Sequence, residues 1–382
     1  MSEQPLTIIK LSGDRLPARA RWADGIEVRL PRDFVSHLEN GRGGFDREGS
    51  RSAAGAAANH LRMRAAFVAS PPISGRMPIH YHSIPAPIRK LVANALGRLQ
   101  RLRQSSWSRY PGWPIDLSAD LSADLAGQPG ITFERTPVLL SHDIDSPEGL
   151  RNLVDMFLPI EEASNARSAN YIVPCAWPLD HGLLTEVQNR GHEIGVHGYD
   201  HANRTPFAPH AERRQRLAAG RAFGDRYGAV GYRAPSLLRT PELLQDLAPL
   251  YRYDASIPTA GGPFPVPNNG CASARPWRLG DLWELPLSLP RDGSLRFLGH
   301  SPSEIERLWR ACAEIVARSG GIVCLLTHCE DRFSGNPRML GAYRNFIEWL
   351  QSDTRFEFLR AADLVARLDG RIAEDDAHVV GR

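Results

Sequence analysis

The sequence predicts an α/β protein whose parallel sheet curls into a closed or nearly closed barrel, preceded by an N-terminal extension. Two observations lead there. From residue 136 almost to the end, short apolar runs of strand length alternate with stretches of helical periodicity, the pattern of parallel strands joined by right-handed crossovers. Seven or eight such units follow one another, enough to close a sheet on itself.

Residues 1–134 read differently. Strand-like runs at 7–11 and 26–30 give way to 41–55, where Gly, Arg, Ser and Ala dominate and periodicity disappears, as in a loop or mobile insert. Over 87–104, Ile88, Val92, Leu96 and Leu99 fall on one face of an amphipathic helix, with basic residues mostly on the others. Packing against the main domain is the first expectation for this helix, and peripheral membrane contact the second. The aromatic, proline-rich stretch 107–114 reads as a connector laid over the barrel, with sugar stacking a lesser role. His80 and His82 form an HxH outside the barrel pattern and are not expected to bind metal.

The barrel units then run in order. Strands are expected at 138–142, 169–174, 192–197 and 231–234, followed respectively by helices at 148–163, 180–190, 209–226 and 241–249. The second half continues with strands at 252–256 and 282–288, a helix near 302–318, a strand at 321–327, a helix near 337–351, a strand at 356–359 and a last helix. The barrel domain is placed at 135–368, with a charged tail at 369–382.

Composition narrows the function classes. A formal charge of +3 over 382 residues, with no dense basic block, gives no footing for a nucleic-acid partner. Five cysteines without a CxxC pair are read as reduced thiols. No secretory leader and no apolar run of membrane-spanning length are visible, so the expectation is a cytoplasmic protein without a transmembrane segment.

In a parallel barrel, functional groups gather where the strands end, and the polar residues here follow that rule. The first run ends in Ser141-His142-Asp143-Ile144-Asp145, where two carboxylates at i and i+2 face the same way; such a pair repels itself unless a cation lies between. His142, the strand neighbour of Asp143, should face away from it and pack rather than serve as a further ligand. The third run ends at His197, and a helical turn beyond it would put His201 on the same side, as an i, i+4 pair sharing one metal. Arg233 ends the fourth run and His328 the seventh. Each alone has a plainer alternative, solvated turn carboxylates or a satisfied core histidine; their ordered convergence does not. Cys324 and Cys329, on either side of His328, read as packing residues.

The ordered motifs SHDID, HGYDH, GYRAP and LLTH resemble those of the NodB-homology, or carbohydrate esterase family 4, polysaccharide deacetylases, over about residues 135–368. The resemblance implies a distorted (β/α) barrel of about seven strands, related to the TIM barrel, and removal of an acyl group, most often acetyl, from an amino sugar or glycan. It makes Asp145, His197 and His201 the ligands of one divalent metal, Zn²⁺ first, with Fe, Co or Ni also suited to such a set. Asp143 becomes the general base, Arg233 its charged partner and His328 the general acid. The backbone N–H of Ser236 would face the oxyanion; Asp254 would orient Arg233 or His328, or else hold a structural turn; and Trp283, with Glu284 nearby, would wall the pocket or else belong to the core. The expected partner is an acylated sugar, a glycan or a lipid-linked sugar. The sequence departs from many members in having His142 in place of an aromatic residue, a D-x-D rather than a D-D pair, and Ser236 where a tyrosine is common. The D-x-D spacing resembles an allantoinase-like branch, so a C–N hydrolase acting on a non-sugar amide is the alternative enzyme, and a non-catalytic glycan-binding barrel the alternative from another class.

Overall fold

The computed structural model describes three strands within residues 7–30, part of residues 85–99, nearly all of 131–258, and 274–380. Strands β1 (Thr7–Ile9), β2 (Ala18–Arg21) and β3 (Glu27–Leu30) form an antiparallel sheet in the order β1-β2-β3. The insert at 41–55, the His80/His82 pair and the connector at 107–114 lie outside the described residues. Residues 88, 91, 92, 95–97 and 99 are helical, and Ile88, Leu91, Val92, Leu96 and Leu99 are exposed rather than packed.

The main sheet has nine strands. Along it lie β11 (Val323–His328), β4 (Thr136–Ile144), β5 (Ala169–Ile172), β6 (Glu193–Val196), β7 (Gly231–Tyr232), β8 (Tyr253–Asp254), β10 (Leu282–Glu284) and β9 (Trp277–Leu279), in that order. All neighbours are parallel except β9, which turns back on β10. β12 (Phe356–Phe358) pairs with the first residues of β4, and β5 pairs with its last four. Among the described residues no ladder joins the two ends. Instead the segment after β10 reaches β11: Leu289 N–H donates to the Cys324 carbonyl (3.1 Å), and the Ser288 hydroxyl donates to that of Ile322 (2.6 Å). The curled sheet is thus a distorted α/β barrel.

Helix starts follow from the sequence. α1 (Pro147–Asn152), α5 (Pro241–Leu247), α7 (Pro302–Ser319) and α8 (Pro337–Ser352) each open with a proline after a capping residue, Ser146, Thr240, Ser301 or Asn336. Each cap side chain accepts a first-turn backbone N–H, and proline gives up no bond at that position. A π-helical turn, Leu153–Phe157, carries α1 into α2 (Leu158–Ala163). α3 (His181–Asn189), α4 (His210–Arg226) and α6 (Asp292–Phe297) fill the remaining crossovers, and α9 (Ala361–Val380) ends the chain. The residues expected as a tail from 369 therefore continue α9 as far as Val380.

Strand alternation sorts the core into layers. Val138, Leu140, Val323 and Leu325 pack outward with Leu153, Phe157, Trp309 and Phe346 of the helices. Leu139, Cys324 and Leu326 face inward with Tyr171, Tyr253 and Trp283, and with Leu364, Val365 and Leu368 of α9. α9 thereby covers the end of the barrel where the strands begin, leaving the opposite end for the site. Among the described residues no helix is long and apolar enough to cross a membrane.

Candidate metal centre

β4 delivers Asp143 as its penultimate residue and Asp145 just past its end, and β11 sets His328 directly opposite Asp143 in the ladder. His197 follows the last residue of β6. The expected helical turn after it is not there. Residues 198–203 form a loop in which Gly198 has φ +66° and His201 itself adopts φ +57°. A Cβ at Gly198 would come within 2.4 Å of the Pro235 ring, so glycine is required there for the close approach as well. His201 holds a backbone that L-residues rarely adopt, a strain that tends to gather at functional sites.

The donor atoms converge. His201 Nε2 lies 3.5 Å and His197 Nε2 3.6 Å from Asp145 Oδ1, and one ligand atom from each of the three residues falls within 4.8 Å of the others. His197 Nδ1 meets the Arg233 carbonyl at 3.0 Å and must donate to it, since a carbonyl can only accept. Burial favours the neutral imidazole, against the pull of Asp143 and Asp145. His197 Nε2 is therefore a bare lone pair aimed at two carboxylates, Asp143 Oδ2 at 3.5 Å as well as Asp145. Both His197 Nε2 and Asp145 Oδ1 are buried without a hydrogen-bond partner. Lone pairs facing one another across a gap too long for a hydrogen bond fit a shared cation, because ligands about 2.1 Å from a tetrahedral metal lie about 3.4 Å apart. Burial alone would raise the Asp145 carboxyl, but His201, His197, His328 and Arg332 hold it far below the usual carboxylate range. A carboxylate held in its charged form there suits a cation.

Beside the triad, Asp143 is buried and accepts from Arg233 Nη1 at 3.0 Å. Arg233 also donates from Nε to the Ala255 carbonyl (2.9 Å), and its guanidinium lies 4.1 Å from the Tyr171 ring centroid. Gly195 makes room for that ring, since a Cβ there would sit 2.6 Å from it. On the other side His328 Nδ1 donates to Asp292 Oδ1 (2.8 Å), and the Phe333 ring packs against the imidazole with centroids 4.6 Å apart. Burial by itself would lower the His328 pKa, but Asp292 foremost, then Asp145 and Asp143, hold it up at about 9. The Asp292 carboxyl, disfavoured by burial, is in turn held below its ordinary value by His328. Because the imidazole is raised above its ordinary 6.5, the pair's contribution to stability is complete below that pH and is lost as pH rises through about 9. In the metal-free protein Asp292→Asn is expected to lower the His328 pKa by a unit or more, about 1.4 kcal/mol per unit. An imidazole titration followed by NMR, unchanged from the unsubstituted protein, would refute the pairing.

The other expected site residues stand elsewhere. Ser236 lies in a short 3₁₀ turn, Pro235–Leu237, with φ +53°, its chain pressed against the His197–Gly198 bend through Pro235. Asp254 touches neither the Arg233 guanidinium nor His328. It accepts the Ser256 hydroxyl (2.6 Å), and Ser256 Oγ accepts the Ala234 N–H (2.8 Å), so its effect is to brace the chain just after Arg233. Trp283 is at the wrong end for a pocket wall: its indole donates to Asp369 of α9 (2.8 Å) under the Arg278 guanidinium. It borders an open cleft of about 620 Å³, with Arg221, Tyr251 and Asp281, on the side where the strands start. His142 faces away from Asp143 as expected, yet it does more than pack, bonding Glu161 Oε1 (2.7 Å) and Thr327 Oγ1 (2.8 Å) in a buried network with Tyr343. Cys324 and Cys329 are buried, and burial pushes the Cys324 thiol up to about 11, away from nucleophilic duty. Two residues near the site escape sequence reasoning. Asp292 orients His328, and Glu330, buried beside Asp145, has its carboxyl pushed up to about 7 by burial and then by that neighbouring charge.

No protein-family model matches the chain, and no curated protein matches it significantly. Solved structures do. A Mycobacterium smegmatis protein assigned as a polysaccharide deacetylase is similar at 21% identity over 64% of this chain and 93% of that one, with a TM-score of 0.50. Puue allantoinase is similar at 15% identity over 63% of this chain and 94% of its own, also with a TM-score of 0.50. Identities this low speak to architecture alone: this chain shares the fold of those two structures.

Proposed function

We propose that the protein is a metal-dependent deacylase that removes an acyl group, acetyl foremost, from an amino sugar or glycan. The observation that carries the reading is the set of buried, unpartnered lone pairs on Asp145 and His197, flanked by a carboxylate held by arginine and an imidazole held by aspartate. A divalent metal held by Asp145, His197 and His201 would acidify a water and polarise the acyl oxygen, with zinc first among the candidates. Asp143 takes the water's proton, and Arg233 keeps that carboxylate oriented. His328, protonated at neutral pH, hands a proton to the leaving amine. The Ser236 N–H faces the oxyanion. The exposed apolar face formed by Ile88, Val92, Leu96 and Leu99 favours a lipid-linked sugar as substrate.

The similarity to an allantoinase supports a second reading, in which the same residues open a non-sugar amide or ureide. Metal-replete protein assayed side by side on N-acetylated amino sugars and on simple ureides separates the two. Acetate release is the expected result; ureide turnover alone would favour the second reading, and turnover of neither substrate class would sink both.

A further inference from the structure

Glu330 follows His328 by two residues on the loop after β11, and its side chain crosses to the other half of the site. Its Oε1 accepts two bonds from the chain just beyond β4, from the backbone N–H of Asp145 (3.2 Å) and from the Ser146 hydroxyl (2.7 Å). Ser146 Oγ accepts the Gly149 N–H (3.1 Å), which caps α1. Gly149 has to be glycine for this reach, because a Cβ there would lie 2.6 Å from Glu330 Oε1. The main chain of Glu330 is pinned as well, its carbonyl accepting from Phe333 (2.8 Å) and Gly335 (3.1 Å). The Asn152 amide adds a bond from the end of α1 to the Cys329 carbonyl (2.9 Å).

Such an arrangement is costly. Glu330 is 3% exposed; its carboxyl stands beside the like charge of Asp145 and leaves Oε2 buried without a partner. A cation held by the triad relieves that repulsion, so the carboxyl and a metal belong to the same design.

We propose that Glu330 is a positioning residue of the metal centre: it fixes the backbone from which Asp145 presents its carboxylate, and couples that ligand to the loop carrying His328. The proposal rests on the metal-centre reading above. Its consequence is that metal affinity depends on Glu330 although Glu330 is not a ligand.

The test compares Glu330→Ala with Glu330→Gln in the full chain, by zinc titration against a competing chelator. Gln keeps an oxygen acceptor for both donors; Ala removes it. Glu330→Ala is expected to bind zinc about 10- to 100-fold more weakly, the loss usual for an outer-shell partner, with Glu330→Gln within about threefold of the unsubstituted protein. A general stabilising role would lower the unfolding temperature and leave the zinc constant of the folded protein unchanged. Zinc binding by Glu330→Ala at the unsubstituted strength overturns the proposal, as does equal loss in both variants, which would make charge rather than the acceptor decisive. Should Glu330→Ala fail to fold, Ser146→Ala removes one donor alone and is expected to weaken zinc about threefold; no change overturns the proposal. Normal zinc dependence on Glu330 without any acyl hydrolysis sinks the proposed reaction and leaves this role standing, whereas no zinc uptake by the unsubstituted protein sinks both.

Discussion

His197→Ala is expected to abolish metal uptake, and His201→Ala to do the same. Each removes one of the three donor atoms that lie within 4.8 Å of one another, and no other group of His, Cys, Asp or Glu among the described residues is so arranged. The loss should exceed the roughly 10- to 100-fold that follows removal of a mere outer-shell partner. The two substitutions differ in their side effects. His197 is buried and bonded to the Arg233 carbonyl, so its loss also opens a cavity under the site. His201 is held by a loop with a left-handed backbone, and alanine there inherits the strain without the ligand that justifies it. Metal analysis after dialysis into zinc is the measurement, and full occupancy in both variants would dismiss the triad.

The barrel was legible because its signals are local. Strand length and the alternation of apolar runs with helical periodicity act within a few residues, and every expected barrel strand from 138 to 359 has a counterpart in the structure. The placement of polar residues where strands end was legible for the same reason, since parity along β4 puts Asp143 inward with Leu139 and His142 outward. What failed were inferences that needed tertiary knowledge. The spacing of His197 and His201 suits a helical turn, but two positive-φ residues bring them together through a loop, and no local pattern announces that a histidine will accept such a backbone. Asp292 lies 36 positions from His328, and Glu330 185 from Asp145; carboxylates in loops look alike until the fold decides which histidine or amide they meet. Of the two readings of Trp283, pocket wall and core, the structure favours the core. An aromatic residue on a strand says nothing about which end of the barrel its ring occupies, and here α9 supplied the partner in Asp369.

Asp143→Asn is expected to keep the metal and to lower kcat by about 10²- to 10⁴-fold, the contribution of a positioned proton acceptor. The amide preserves shape and can still accept from Arg233, so the guanidinium keeps that contact, the Ala255 carbonyl and the Tyr171 ring. It loses its counter-charge, however. Arg233 is fully buried, and stripping a buried ion of its partner typically costs about 3–5 kcal/mol, so a lower unfolding temperature should accompany the kinetic loss. His328→Ala should also keep the metal and lose turnover, and it strands a buried ion in turn, the Asp292 carboxylate. Because each variant leaves a different buried ion without its partner, kcat is compared where both are fully folded, and a fall common to both there assigns the shared loss to proton transfer. Metal titration has to accompany the kinetics, because Asp143 Oδ2 stands 3.5 Å from His197 Nε2, as near as Asp145 stands to either histidine. If Asp143→Asn lost metal in step with turnover, Asp143 would be a fourth ligand and the base would have to be another group; unchanged kcat at full metal occupancy would remove it from the mechanism altogether.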